Sequence, residues 1–79
     1  METFTIHDAR EISQKEREIF AKNLKNKLQK NKLSISELAT LLSISEEDIN
    51  SWIVGRTYPS IVSLTYLASI FKCPVTELV

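Results

Sequence analysis

The apolar residues of the chain recur mostly at spacings of three and four, which is the period of an α-helix. The chain contains one glycine and two prolines, so few positions would interrupt such helices. The pattern therefore predicts an all-α fold. The exception is the segment ETFTIH, in which Phe4 and Ile6 alternate with polar residues. Alternation is typical of a short strand, an extended arm or a loose end, and we favour the last two.

The first helix is predicted to begin at Ser13. Ser13 and Glu16 have the spacing of a capping box, in which each side chain bonds to the backbone amide of the other residue. The apolar residues of this region fall roughly on one stripe, made of Ile12, Ile19, Phe20, Leu24 and Leu28. We expect the helix to run from about Ser13 to Asn31, within a domain of residues 13–79 that follows a loose or partly helical extension of residues 1–12.

Two short helices are predicted next. Ser34 and Glu37 repeat the capping-box spacing and begin a helix of about two turns. Its expected inward face consists of Leu38, Leu41 and Leu42. Ser45 and Asp48 resemble a third start, because a serine hydroxyl can accept the bond of an unpaired amide. The expected apolar side of that helix consists of Ile49, Trp52 and Ile53. Gly55 permits the left-handed backbone that often ends a helix.

A fourth helix, IVSLTYLASIF, is predicted after Ser60 as its cap. Its residues at core spacing are Ile61, Leu64, Leu67, Ala68 and Phe71. Pro74 is expected to restart the chain as a short fifth helix, VTELV. The predicted architecture is therefore a compact bundle of five helices, in which the fourth and fifth close the core.

The net charge of the chain is zero, but its charged residues are unevenly distributed. Ten Lys and Arg balance ten Asp and Glu. Residues 1–32 nevertheless hold eight basic residues against five acidic ones, whereas residues 33–79 hold two against five. Five lysines and no acid lie between Lys22 and Lys32; they form either a phosphate-attracting surface or a solvated helix flank. Overall neutrality argues against strong sequence-independent binding to nucleic acid, which depends on phosphate neutralisation.

Several classes of protein are excluded by composition. Cys73 is the only cysteine, so no internal disulfide can form, and no Cys/His cluster has the spacing of a metal site. Neither a glycine-rich phosphate loop nor a nucleophile paired with a base is present, which argues against an enzyme and against a cofactor. No apolar run approaches the ~20 residues of a membrane span, and no signal peptide begins the chain. We expect a soluble, cytoplasmic protein.

From residue 19 to residue 79 the chain resembles the lambda-repressor-like helix-turn-helix domain of Xre and Cro type. The residues that carry the resemblance are Leu38-Ala39, Ile49, the Trp52-x-x-Gly55 helix end, Tyr58-Pro59-Ser60, Leu64, Leu67-Ala68 and Phe71. The family's five-helix architecture agrees with the number of helices predicted above. Such domains stand alone or begin longer proteins, and both alternatives stay open for this chain.

The resemblance implies a sequence-specific DNA-binding transcriptional regulator of repressor type. In the family, helices two and three form the helix-turn-helix, and the start of helix three enters the major groove of double-stranded DNA, usually in a homodimer. The positions that the resemblance assigns to base contacts are Glu46, Glu47, Asn50 and Ser51. Those that it assigns to the DNA backbone are Ser34, Ser45, Arg56, Thr57, Lys22 and Lys25. Ile35 follows Ser34 at the start of the supporting helix and belongs to the same predicted surface.

The sequence departs from the family pattern at several positions. Ile35 stands where the family usually has glutamine, and Ser43 where it usually has a glycine in the turn. Many members pair an arginine of helix one with a glutamate of helix three, whereas Leu28 and Ile53 occupy those positions here. Because an ion pair replaced on both sides by apolar residues is often neutral or stabilising, we expect Leu28 to contact Ile53 within the core.

The most informative departure is the acidic start of helix three, Glu46-Glu47-Asp48. A carboxylate can accept a hydrogen bond from cytosine N4, but it also repels phosphate. The structural alternative is that each acid complements the helix dipole, by ~0.3–1 kcal/mol, and Asp48 is expected to turn back to the Ser45 amide. A second function is therefore open: a protein-interaction module that uses this acidic surface or the N-terminal extension.

The remaining aromatic and reactive residues are predicted to be structural. Trp52 is expected to close the core, and Tyr58 and Tyr66 to pack with their hydroxyls in solvent. Cys73 is expected to be a small buried apolar residue, because the only histidine, His7, lies far away in the N-terminal segment without a plausible partner.

Overall fold

Residues 12–79 fold into four α-helices. The computed structural model describes residues 12–79. Within them, α1 spans Gln14–Lys30, α2 Ile35–Leu42, α3 Glu46–Ile53 and α4 Ile61–Phe71, and no strand is present in this part of the chain. The all-α prediction and the predicted bounds of these four helices are confirmed. The predictions for Phe4, Ile6 and the rest of residues 1–11 lie outside the described residues.

The predicted fifth helix is a single 3₁₀ turn, Val75–Glu77. The amides of Glu77 and Leu78 donate to carbonyls three residues back, at 3.0 and 2.8 Å. The prediction of a fifth α-helix was therefore wrong, since these amides bond to carbonyls three residues back and not to the carbonyls four residues back that an α-helix uses. The turn still closes the core as expected, because Leu78 is completely buried.

Serine residues begin all four α-helices. The hydroxyls of Ser13, Ser34, Ser45 and Ser60 each accept a bond from the amide three residues later, at 3.0–3.2 Å. Glu16 and Glu37 return the bond, which completes the two predicted capping boxes. The amide and the hydroxyl of Ser13 both donate to the Glu16 carboxylate. These two bonds lower the pKa of Glu16, and the bond from the amide has the larger effect.

At the start of α3, the bond that was expected from the Ser45 amide to the Asp48 carboxylate is absent. The Asp48 amide donates to the Ser45 hydroxyl at 3.2 Å, but α3 has no completed capping box. The side chain of aspartate is one methylene shorter than that of glutamate, which is the residue that usually closes this motif. The Asp48 carboxylate therefore stays exposed beside Glu46 and Glu47.

The core is built from one or more fully buried residues of each helix. They are Phe20 and Leu24 of α1, Leu38 of α2, Ile49 of α3, Leu67 of α4, and Leu78. Trp52 meets Phe20 edge-on, with ring centroids 6.2 Å apart, and Tyr58 tilts against the same ring at 5.4 Å. Burial raises the pKa of the Tyr58 hydroxyl, and the negative charge of Glu16 adds to this effect. The structural roles predicted for Trp52 and Tyr58 are confirmed.

The residues that replace the family's ion pair lie in the same core. Leu28 is buried, and Ile53 is half-buried against the cluster to which Leu28 belongs. Their burial agrees with the apolar role expected for both. A direct contact between the two side chains stays a prediction.

Four residues that were expected to pack are exposed instead: Ile19, Leu41, Ile61 and Tyr66, at 42%, 57%, 76% and 59%. At 100° per residue, Ile19, Leu41 and Tyr66 lie well away from the buried stripes of their helices. Ile61 is the first residue of α4, and side chains lean toward the helix N-terminus, so it projects beyond the core that Leu64 reaches. Cys73 is half-buried against the core rather than fully buried.

The turn between α2 and α3 depends on Ser43. Ser43 has φ 58° and ψ 42°, the left-handed conformation that the glycine of the family pattern would adopt without strain. The Ile44 amide then donates to the Ala39 carbonyl at 3.1 Å, which closes the end of α2 and turns the half-buried Ile44 against the core.

We expect Ser43→Gly to stabilise the protein. Glycine removes the strain of the left-handed backbone, but it also stabilises the unfolded chain by adding conformational entropy. We expect the first effect to be larger, so the free energy of unfolding should rise by about 0.5–1 kcal/mol. Val54→Gly is the matched control: Val54 also ends a helix, but at φ −88°, so glycine should lower the stability there. Urea denaturation measures both variants. A Ser43→Gly protein that is no more stable than wild type would contradict the strain argument.

Candidate nucleic-acid interface

The outward side of α3 is fixed by the residues on its inward side. Ile49 is completely buried and Trp52 is 6% exposed. In a helix that begins at Glu46, these anchors direct the side chains at positions 47, 50 and 51 away from the core. Glu47 and Asn50 are exposed, and Ser51 is half-buried. Glu47, Asn50 and Ser51 therefore share one accessible face, whereas Glu46, the fourth predicted base-contacting residue, is exposed at the start of the helix and does not line the depression described next.

A shallow depression joins this face to the loop after α3. Its volume is about 110 Å³, and it is lined by Glu47, Asn50, Ser51, Val54 and Arg56. The loop folds back on α3, because the amides of Arg56 and Thr57 both donate to the Ser51 carbonyl, at 2.9 and 3.3 Å. Gly55 precedes them with φ 77°, as its predicted role at the helix end requires. Four of the predicted site residues thus come together around one concave surface.

The start of α2 supplies Ser34 and Ile35. The Ser34 hydroxyl accepts from the Glu37 amide at 3.0 Å, which leaves its proton able to donate to another acceptor. Ile35 is half-buried and packs against the core cluster. An aliphatic side chain cannot bond to phosphate or to a base edge, so Ile35 supports the position of α2.

The two predicted lysines lie on α1, on the stripe that borders the same loop. A Cβ atom added to Gly55 would lie 3.9 Å from the Glu18 Cγ. Lys22 and Lys25 follow Glu18 at spacings of four and three, so the three side chains line up along one side of α1. Both lysines are exposed. They form a basic edge along α1 beyond Glu18, and neither lysine lines the depression.

Arg17 holds α1 to the loop after α3. Its Nε donates to the Gly55 carbonyl at 2.9 Å, and its Nη1 donates to the Ile12 carbonyl at 2.8 Å. Sequence reasoning missed this residue, because both acceptors are backbone oxygens, which every residue type provides. The fork of one guanidinium therefore sets the position of the loop that carries Arg56.

The charge of the candidate surface is mainly negative. Glu46, Glu47 and Asp48 are all exposed, and no ion pair within residues 12–79 involves them.

An ion pair outside the candidate surface joins Lys27 Nζ to Glu77 Oε1 at 2.7 Å. This contact raises the pKa of Lys27 and lowers that of Glu77. One of the five clustered lysines is therefore already paired, and Arg56 is the cation that lines the depression.

A comparison with protein families decides what this arrangement is. The model of the helix-turn-helix family HTH_3 matches residues 24–78, which include the C-terminal part of α1, residues 24–30, and all of α2, α3 and α4. The chain belongs to the helix-turn-helix family. This family consists of DNA-binding domains and is not a family of enzymes. No curated protein and no solved structure matches the chain.

Among residues 12–79, no helix is both long enough and apolar enough to cross a membrane. The longest, α1, has 17 residues and carries charged side chains along its length.

We expect Arg17→Lys to loosen the loop after α3. A lysine ammonium lacks the fork that spans the Gly55 and Ile12 carbonyls, so at least one acceptor would lose its partner, at a cost of about 1–2 kcal/mol in unfolding free energy. Hydrogen exchange of the Arg56 and Thr57 amides should accelerate more than that of the Ile49 amide in the core. Equal acceleration at all three would contradict a local role for Arg17. Lys15→Arg, at an exposed position of the same helix, controls for the Arg/Lys difference itself.

Proposed function

We propose that this helix-turn-helix domain is a sequence-specific transcriptional regulator of repressor type, which reads the major groove with the start of α3. The observation that carries the proposal is the concave surface on which Glu47, Asn50 and Ser51 of α3 meet Arg56 of the following loop. A helix that is anchored on one side and lined with polar side chains on the other has the form that the major groove accepts.

Each polar residue of α3 has a chemically defined role in this proposal. The Asn50 amide can donate to and accept from the edge of an adenine, and a Glu46 or Glu47 carboxylate can accept from the N4 amino group of a cytosine. The Ser51 hydroxyl suits either a base or a bridging water. Specificity would then come from directed hydrogen bonds, because the surface carries too little positive charge to bind by phosphate attraction alone.

The residues around α3 would position the DNA backbone. Arg56 and the Thr57 hydroxyl are exposed on the loop, where they can donate to phosphate oxygens. Ser34 and Ser45 cap α2 and α3, whose N-terminal ends carry the positive end of the helix dipole. Lys22 and Lys25 would meet the flanking phosphates, and Ile35 would hold α2 in place.

The acidic residues limit the affinity of a single domain. Glu46, Glu47 and Asp48 would repel nearby phosphates, and salt would screen this repulsion. A neutral monomer with few basic contacts therefore requires a second copy, which would place two copies of α3 in half-sites about 34 Å apart, one turn of DNA. Homodimeric binding to a two-fold operator is part of the proposal.

The alternative is a protein-interaction function on the same fold. The observation that favours it is the exposed acidic cluster of Glu46, Glu47 and Asp48, which forms no ion pair within residues 12–79. Such a cluster would attract a basic partner protein. The two functions differ in what neutralisation of the cluster should do to DNA binding.

We expect the double variant Glu46→Gln/Glu47→Gln to bind random duplex DNA more tightly and its preferred duplex less selectively. Removal of two charges reduces phosphate repulsion, while the loss of a cytosine contact lowers discrimination at that base pair by about 1–3 kcal/mol. The measurement is a salt series of binding to duplexes enriched from a random library, compared with unselected duplexes.

Two further variants make the outcome decisive. Arg56→Gln should weaken binding to all duplexes about equally and reduce the salt slope by about one. Glu77→Gln also removes one carboxylate, but in the 3₁₀ turn that pairs with Lys27, and should leave selectivity unchanged. If the double variant keeps wild-type affinity and selectivity toward every duplex, Glu46 and Glu47 do not face DNA. If the wild type selects no duplex, the proposed function is wrong.

A further inference from the structure

A second concave surface borders the loop after α3. It is a cavity of about 610 Å³ that lies between the start of α1, this loop and the start of α4. No residue of α3 itself lines it. A volume of this order is typical of sites that enclose a small organic molecule.

The apolar part of the lining comes from three segments. Ile12 precedes α1, Tyr58 and Pro59 belong to the loop, and Ile61 and Leu64 belong to α4. Pro59 and Leu64 are buried, so they provide a fixed apolar wall. Ile61 is 76% exposed and can pack on a molecule that enters. A ligand with an aromatic or aliphatic body would remove this apolar surface from water.

Arg17 supplies a cation that is already held in position. Its Nε donates to the Gly55 carbonyl at 2.9 Å and its Nη1 to the Ile12 carbonyl at 2.8 Å. These bonds use two of the five N–H donors of a guanidinium, so the group can bind a carboxylate as well. Because the fork is fixed in advance, little side-chain entropy is lost when the carboxylate binds.

Arg56 lines both this cavity and the depression beside α3. Its side chain is exposed, and its amide donates to the Ser51 carbonyl at 2.9 Å, which fixes the backbone at this point. A carboxylate that pairs with Arg56 in the cavity would neutralise the charge that a DNA phosphate would otherwise meet. Occupation of the cavity is therefore linked to the proposed DNA surface.

The polar part of the lining favours an anion. Among the described residues, no carboxylate lines the cavity, and Thr57 adds a hydroxyl. The negative charge of Glu16 contributes to the raised pKa of Tyr58, but Glu16 Oε1 accepts from the amide and the hydroxyl of Ser13, at 3.0 Å each. A small inorganic anion would leave the apolar wall in water, and a doubly charged phosphate would cost more to bury than a carboxylate.

We infer that this cavity is a binding site for a small amphiphilic carboxylate. The carboxylate pairs with Arg17 and Arg56, and its aromatic or aliphatic body packs on Ile61 and Leu64. Such a ligand is an effector, because it competes with phosphate for Arg56 and lowers the affinity for DNA. The binding site stands independently of the proposed function, whereas the effect on DNA rests on it.

Titration of the full chain with hydrocinnamate, without DNA, tests the binding site by nuclear magnetic resonance. We expect the Ile61 and Leu64 methyl resonances and the Arg17 Nε resonance to shift. Hydrocinnamamide has the same shape without the charge, and acetate has the charge without the apolar body; each should bind at least about tenfold more weakly. Equal affinity for the acid and either control compound, or no shift at Ile61 and Leu64, would overturn the inference.

Two matched serine variants locate the apolar contact. Ile61→Ser removes a side chain that lines the cavity, and should raise the Kd of hydrocinnamate by about threefold to tenfold. Val62→Ser removes the neighbouring exposed side chain, which does not line the cavity, and should leave the Kd unchanged. An equal effect of the two variants would also overturn the inference. The comparison of the three compounds uses the wild-type chain, so it does not depend on the variants folding.

A competition experiment measures the effect on DNA. At constant ionic strength, saturating hydrocinnamate should weaken wild-type binding to the enriched duplex by about threefold or more, and should change the binding of Arg56→Gln much less. If hydrocinnamate shifts Ile61 and Leu64 but leaves DNA affinity unchanged, the competition for Arg56 is wrong. If the wild type binds no duplex selectively, the proposed function fails, and the titration without DNA still decides the binding site.

Discussion

The burial of Ile49 and Trp52 against Phe20 is the constraint on which the candidate interface depends. α3 has only eight residues, too few to be stable by itself in water. Its helical form and its orientation therefore come from packing, and the edge-on contact between the Trp52 and Phe20 rings, at 6.2 Å, ties it to α1. Once these side chains are buried, Glu47, Asn50 and Ser51 have no orientation other than outward.

The loop after α3 adds a second level of control. Arg17 of α1 bonds to the Gly55 carbonyl, and the Ser51 carbonyl accepts the Arg56 and Thr57 amides. The backbone of the loop that carries Arg56 is thus held by α1 and α3. Arg17 also donates to the Ile12 carbonyl, so one guanidinium contacts both the loop after α3 and the residue that precedes the cap of α1.

Local signals in the sequence predicted most of the helices correctly. The Ser-x-x-Glu spacings located the starts of α1 and α2, because a capping box needs only residues three apart. Predictions that depended on the extent of an apolar stripe were less reliable: Leu41 and Ile61 are apolar, but Leu41 lies away from the buried stripe of α2 and Ile61 projects beyond the core. The Arg17 contacts could not be predicted, since they join an arginine to distant backbone oxygens. The length of the last helix was misjudged because Pro74 marks a restart without specifying how many turns follow.

The central claim is that the start of α3, with the loop after it, is the surface that meets DNA. Titration of the isotope-labelled chain with a duplex enriched from a random library tests this most directly, with every backbone amide resonance followed. The account predicts that the largest shifts fall on Ser34, on Ser45 to Ser51 and on Arg56 and Thr57, with little change at the 3₁₀ turn. Shifts concentrated on α4 or on the C-terminal turn, with α3 unchanged, would contradict it.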